Sequence, residues 1–231
     1  MSMTRRHVLF GLTTSMLSTD VIAQDNVEMM GSMMEHHEHN PHIELTPVTR
    51  AAAGDVHRAR ILAERVRRAI MQYGDVRAAE SDGYRRFGPA TLPEVHYVNR
   101  RLSRAERRGI NPETPGSLLY APQHGGMELA GAMFTAPHGT SLAELNARVP
   151  LSQARWHVHV NICLPRPVFN RSAWRQRGAD GQPLFGPMGS IATREACEAA
   201  GGQFNAVLQG WMVHVYPFRQ NPADWWVQRH G

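Results

Sequence analysis

Trp156-His157-Val158-His159-Val160-Asn161-Ile162 decides how this chain is read. Successive side chains of a strand alternate between faces, so residues two apart share one. One face of the segment carries His157, His159 and Asn161. The other carries Trp156, Val158, Val160 and Ile162, an apolar row fit for a core. The same division recurs in Trp211-Met212-Val213-His214-Val215-Tyr216, where Met212, His214 and Tyr216 oppose Trp211, Val213 and Val215. It recurs again in Glu94-Val95-His96-Tyr97-Val98, with Glu94 and His96 on one face. Three strands thus each set a histidine among polar neighbours opposite an apolar face.

Outward from these segments the chain reads as strands over 95–99, 117–121, 128–135, 155–164 and 207–218. Proline and glycine clusters such as Gly125-Gly126 and Gly186-Pro187 punctuate them. Residues 52–83 read as helical instead. Ala59, Leu62, Val66, Ala69 and Tyr73 recur at three and four residues, Gly74 stops the helix, and Asp75 caps a second, shorter one. A further short helix spans 194–200 and ends at Gly201-Gly202. Leading helices followed by consecutive strands predict an α+β fold. Its antiparallel sheet is curled or barrel-like, with the N-terminal helices packed on one side.

If the three histidine strands pair, cross-strand side chains come within about 5 Å of each other and can share one ion. A His-x-His pair plus a histidine from a neighbouring strand offers three nitrogens and an open position. The expected metal ligands are His157, His159 and His214, with His96 as a fourth. Glu94 and Tyr216 are the candidate catalytic groups, Glu94 as acid/base or as a carboxylate orienting an imidazole. Polar groups on such hydrophobic strands are costly without a partner, which favours a metal over packed histidines. In its His-x-His plus His logic the arrangement resembles the three-histidine zinc site of α-type carbonic anhydrases, and the likeness goes no further along the chain. A cupin motif would need glycine six residues before the first histidine and glutamate shortly after the second. Leu151 and the pair Cys163-Leu164 stand there, so that pattern fails.

The 231 residues suit one sizeable domain plus a tail, and 42% hydrophobic residues exclude a wholly disordered chain. No eighteen-residue apolar run occurs, which excludes a multi-span membrane protein. The net charge is +5 and every basic residue is arginine. The arginine clusters lack any helix-turn-helix or aromatic RNA-binding signature, so no nucleic-acid partner is expected. Nor does a serine-hydrolase elbow, phosphate loop or dinucleotide fingerprint occur.

Thr4-Arg5-Arg6-His7-Val8-Leu9-Phe10, the apolar stretch that follows and Val21-Ile22-Ala23 form a charged, apolar and small-residue succession. It resembles a twin-arginine export signal over residues 1–23, implying a periplasmic or secreted protein with no stable membrane anchor after cleavage. In an oxidising compartment Cys163 and Cys197 most simply form a disulfide, with a thiolate ligand at Cys163 as the alternative. Residues 24–50 form a polar tail, expected to be disordered. It contains Met29, Met30, Met33, Met34, His36, His37, His39 and His42. Thioethers suit Cu(I) and imidazoles Cu(II), so the tail favours copper, with zinc second. Residues 51–231 are the folded domain. Three functions compete: a metal-binding protein with a capture tail, a mononuclear metalloenzyme with a small-molecule substrate, and a non-metal interaction domain.

Overall fold

Among the described residues, alternating apolar and polar side chains build seven antiparallel strands, and five short to medium helices pack with them. The structure is a computed structural model that describes residues 40–88, 92–179 and 181–227. In chain order the elements are β1 (Ile43–Leu45), α1 (Asp55–Ile70), α2 (Val76–Ser81), β2 (Arg85–Phe87), β3 (Val95–Val98) and α3 (Arg100–Ala105). They continue as β4 (Ser117–Gln123), β5 (Gly126–Ala136), α4 (Leu142–Arg148), β6 (His157–Pro165), α5 (Arg194–Ala199) and β7 (Gly202–Val215). The strands lie in the order β1-β6-β7-β5-β4-β3-β2 in one open sheet. This is the α+β, curled-sheet architecture that the sequence pattern implies.

The apolar face is the core. Val95 and Tyr97, Leu118 and Tyr120, Phe134, Val213 and Val215, and Trp156 and Val158 all pack into one cluster with α1. From α1 come Ala59, Ala63, Val66 and Ile70, and Leu62 and Ala69 flank them half-buried. Trp226 joins from the C-terminal segment, its indole N–H donating to Ala59 O on α1 at 3.2 Å. Asp75 caps α2 as expected, accepting from Arg77 N. No helix among the described residues is long and apolar enough to cross a membrane.

The opposite face curls inward. His96 on β3 and His214 on β7 have two strands between them, a span of about 14 Å in a flat sheet. Their ring centroids are 5.3 Å apart. Gly131 on β5 permits this approach: a Cβ there would sit 2.0 Å from Val215 O, so the end of β7 lies against bare β5 backbone. Gly210 does the same at the other end of the β5–β7 ladder, where a Cβ would meet Ala136 O at 2.1 Å.

Two details depart from the sequence reading. Residues 43–45, expected within the disordered tail, form β1 and extend the sheet along β6, with Ile43 opposite His159 and Leu45 opposite His157. The cause is an open edge: β6 needs a partner on its outer side, and three residues suffice. The edge strand β2 also lies outside the strands that the sequence pattern predicts, because its Arg85-Arg86-Phe87 is exposed and carries no alternation. Residues 1–39, including the export-signal segment and most of the Met/His tail, lie outside the described residues.

Candidate metal centre

Sheet register decides which polar residues meet. On the inward-curled face, His214 lies opposite Met133 and His157 opposite Met212. The β6–β7 register slips between His157 and His159, so that His159 faces Leu208. Gln209 takes up that slip with a φ of 68°. The slip keeps both histidine rings in contact, edge to face with centroids 5.5 Å apart. His157 in turn meets His214 at 5.2 Å, and His214 meets His96 at 5.3 Å. Four imidazoles from three strands therefore form one continuous row.

Glu94 anchors the row. Its Oε1 lies 3.2 Å from His214 Nδ1 and 3.5 Å from His96 Nε2. Tyr216 places its hydroxyl 3.0 Å from the same His214 Nδ1. Glu94, His96 and His214 are a group whose ligand atoms all lie within 4.8 Å of one another. Donors about 2.0–2.1 Å from a zinc-sized ion are at most about 4 Å apart, so the group needs to draw in by only about 1 Å. The triad with convergent donors is thus Glu94, His96 and His214. His157 and His159 continue the row beyond it.

Protonation follows from burial. His214 is 3% exposed, and desolvation pushes its pKa below the usual imidazole value. Burial pushes the Glu94 carboxyl up, but the hydrogen bonds from His214 and His96 outweigh it and hold the group below the usual carboxylate range. The consistent assignment is an ionised Glu94 accepting Nδ1–H from a neutral His214. That tautomer leaves Nε2 of His214 as a lone-pair donor. This Nε2 is buried and has no hydrogen-bond partner. Nδ1 of His159 is in the same state, and burial lowers the His159 pKa to about 4. Burial raises the Tyr216 hydroxyl far above its ordinary range, with Glu94 beside it adding to the shift. Tyr216 therefore stays protonated.

Other expected residues fall elsewhere. Cys163 and Cys197 form the disulfide, with their Cα atoms 5.5 Å apart, which removes the thiolate-ligand alternative. His42 is part of the fold: it is 3% exposed, Nε2 lies 2.6 Å from Gly189 O, and Nδ1 lies 3.1 Å from Asn161 O. Both of its ring nitrogens are turned to backbone carbonyls, so His42 is a structural pin for β1 and not a free ligand of a loose tail. Met29, Met30, Met33, Met34, His36, His37 and His39 lie outside the described residues.

No spacing in the sequence points to Met133. Its position beside His214 follows only from the β5–β7 register. Met212 shares a face with His214 in the sequence pattern, yet its place opposite His157 again needs the register. In comparisons with protein families, curated proteins and solved structures, no match to this chain was found.

Proposed function

We propose that this chain is an exported metal-binding protein that holds one transition-metal ion on the inward-curled face of its sheet, copper favoured and zinc second. The observation that carries this reading is His214: Nδ1 is fixed by Glu94 and Tyr216, while the buried Nε2 has no partner. A carboxylate that orients a histidine through one ring nitrogen and frees the other is the usual support for a metal-ligating imidazole. His214, His96 and His157 are the proposed ligands, with His159 at the end of the row, and the ion supplies a positive charge that satisfies the lone pair of His214 Nε2. The Met/His segment at 29–39 is proposed to capture the ion, and the disulfide supports an oxidising compartment.

A metalloenzyme on the same residues is less well supported. Its candidate acid/base groups, Glu94 and Tyr216, are both engaged at His214, and Glu94 also at His96. That arrangement favours holding an imidazole over passing a proton to a substrate.

The test is metal analysis of the full chain and of a variant with every Met and His in 29–39 changed to Ser. The tail-substituted chain is expected to retain one ion and to lose it in His214→Ala. A folded His214→Ala protein with unchanged stoichiometry would refute the site. Equal stoichiometry with and without the tail side chains would refute the capture role.

A further inference from the structure

The imidazole row does not lie on a polar surface. Beside it is a small buried cluster of Leu119, Met133, Met212 and Tyr216, separate from the main core. Two of its four members carry thioethers, and both sit against the proposed ligands. Met212 is opposite His157 and two residues from His214 on the same strand face, while Met133 is directly opposite His214. Directly opposed residues on antiparallel strands have Cβ atoms about 4.5–5.5 Å apart, within reach for a flexible methionine side chain. Both methionines are 4% exposed, so their sulfurs are shielded from solvent oxidants.

Building on the metal-binding reading, we propose that Met133 and Met212 supply thioether donors to the ion and that the sheet site takes Cu(I). Sulfur of a thioether is a soft ligand that selects Cu(I) and adds little to Zn(II), whereas imidazole serves both. A site that combines imidazoles with thioethers therefore discriminates by softness. His214, whose buried Nε2 has no hydrogen-bond partner, is two residues from Met212 on β7 and directly opposite Met133 on β5, and this Nε2 is the nitrogen such an ion would share with them. Low charge also suits the setting: a monovalent ion beside the single ionised carboxylate of Glu94 leaves less net charge in a buried place than a divalent one.

The experiment uses the tail-substituted full chain, so that sulfurs outside the sheet do not compete. Met133→Leu, Met212→Leu and the double variant keep the volume of the cluster and remove only sulfur. Cu(I) is delivered anaerobically with ascorbate, which spares the disulfide, and affinity is read by competition with a chromogenic chelator. Zn(II) affinity is read in parallel. The double variant is expected to lose Cu(I) affinity by about tenfold or more while Zn(II) affinity changes by less than about threefold. X-ray absorption of the Cu(I)-loaded parent is expected to show sulfur among the nearest neighbours, absent in the double variant. Unchanged Cu(I) affinity, or equal losses for both ions, would overturn the thioether role while leaving the histidine site standing. Failure of the parent chain to bind either ion would overturn the metal-binding reading itself.

Discussion

Replacing both cysteines, as Cys163→Ala with Cys197→Ala, separates what stabilises this domain from what arms its site. The bond ties β6 to α5 across a sequence separation of 34. A loop of that size corresponds to about 4 kcal/mol of lost chain entropy in the unfolded state. For a domain of this size each kcal/mol moves the melting temperature by about 2–4 °C, so the double variant should melt roughly 10–15 °C lower. The effect should be concentrated locally. Cys163 and Cys197 are the centre of a small cluster with Ala173, Phe185 and Ile191, outside the main core. The covering segment 166–193 should therefore exchange its amide hydrogens before the sheet does. Cys163 lies six residues along β6 from His157, about 20 Å of strand, so metal affinity should not change. The assays are thermal unfolding by circular dichroism, hydrogen exchange by mass spectrometry, and metal titration. A shift below about 3 °C would show that the small cluster holds the segment unaided. Loss of the ion would show that site and disulfide are coupled, against the spatial reasoning.

Three more outcomes follow from the same geometry. Glu94→Gln keeps the shape but weakens the acceptor for His214 Nδ1–H, and should reduce metal affinity by about 10–100-fold with little change in the apo melting temperature; unaltered affinity would remove Glu94 from the site. Gly131→Ala places a Cβ 2.0 Å from Val215 O, which should cost about 3 kcal/mol or more and displace the neighbouring His214, seen as a combined loss of stability and metal binding; a stable variant with full binding would mean that β7 does not need the close approach. Glu106 is 2% exposed and accepts from Gly116 N, Thr135 N and Thr135 Oγ1, yet burial pushes its carboxyl up to about 7 from an ordinary 4.5. The folded state then holds a proton that the unfolded state has released between those two values. This contribution to stability is full below about pH 4.5 and is lost as pH rises through 7, by roughly 3 kcal/mol. Urea midpoints for the wild type and Glu106→Gln, taken at pH 5 and pH 8, should converge on the acid side and separate on the alkaline side, and a constant difference would refute the shift.

Local pattern carried the central strands well, because each has one buried face and alternation records it. Trp156 and Val158, Val213 and Val215, and Val95 and Tyr97 point into the core as their spacing says. Short edges carry no such record. Ile43–Leu45 is too brief to alternate and reads as tail, although His42 beside it is pinned against two carbonyls. The site was half legible for a related reason. That Glu94, His96, His157, His159 and His214 share polar faces follows from spacing alone. Which of them converge depends on strand order, on the slip at Gln209 and on the bare backbone at Gly131, and none of these is visible one strand at a time.

The inward curl also explains why the row is costly to keep without a ligand. A flat sheet would leave His96 and His214 apart, each free to meet water. The curl brings Glu94 to His214, which satisfies Nδ1, and by the same movement buries Nε2 where nothing donates to it. A buried acceptor without a partner costs about 1–3 kcal/mol. An apolar residue at position 214 would remove that orphaned acceptor but leave the ionised Glu94 carboxylate without its His214 donor. The chain keeps an imidazole there, holds it with a carboxylate and a phenol, and sets thioethers beside it. On the proposed reading, an ion at Nε2 would cancel the desolvation cost that the curl creates, and binding and the curled form of the sheet would stabilise each other.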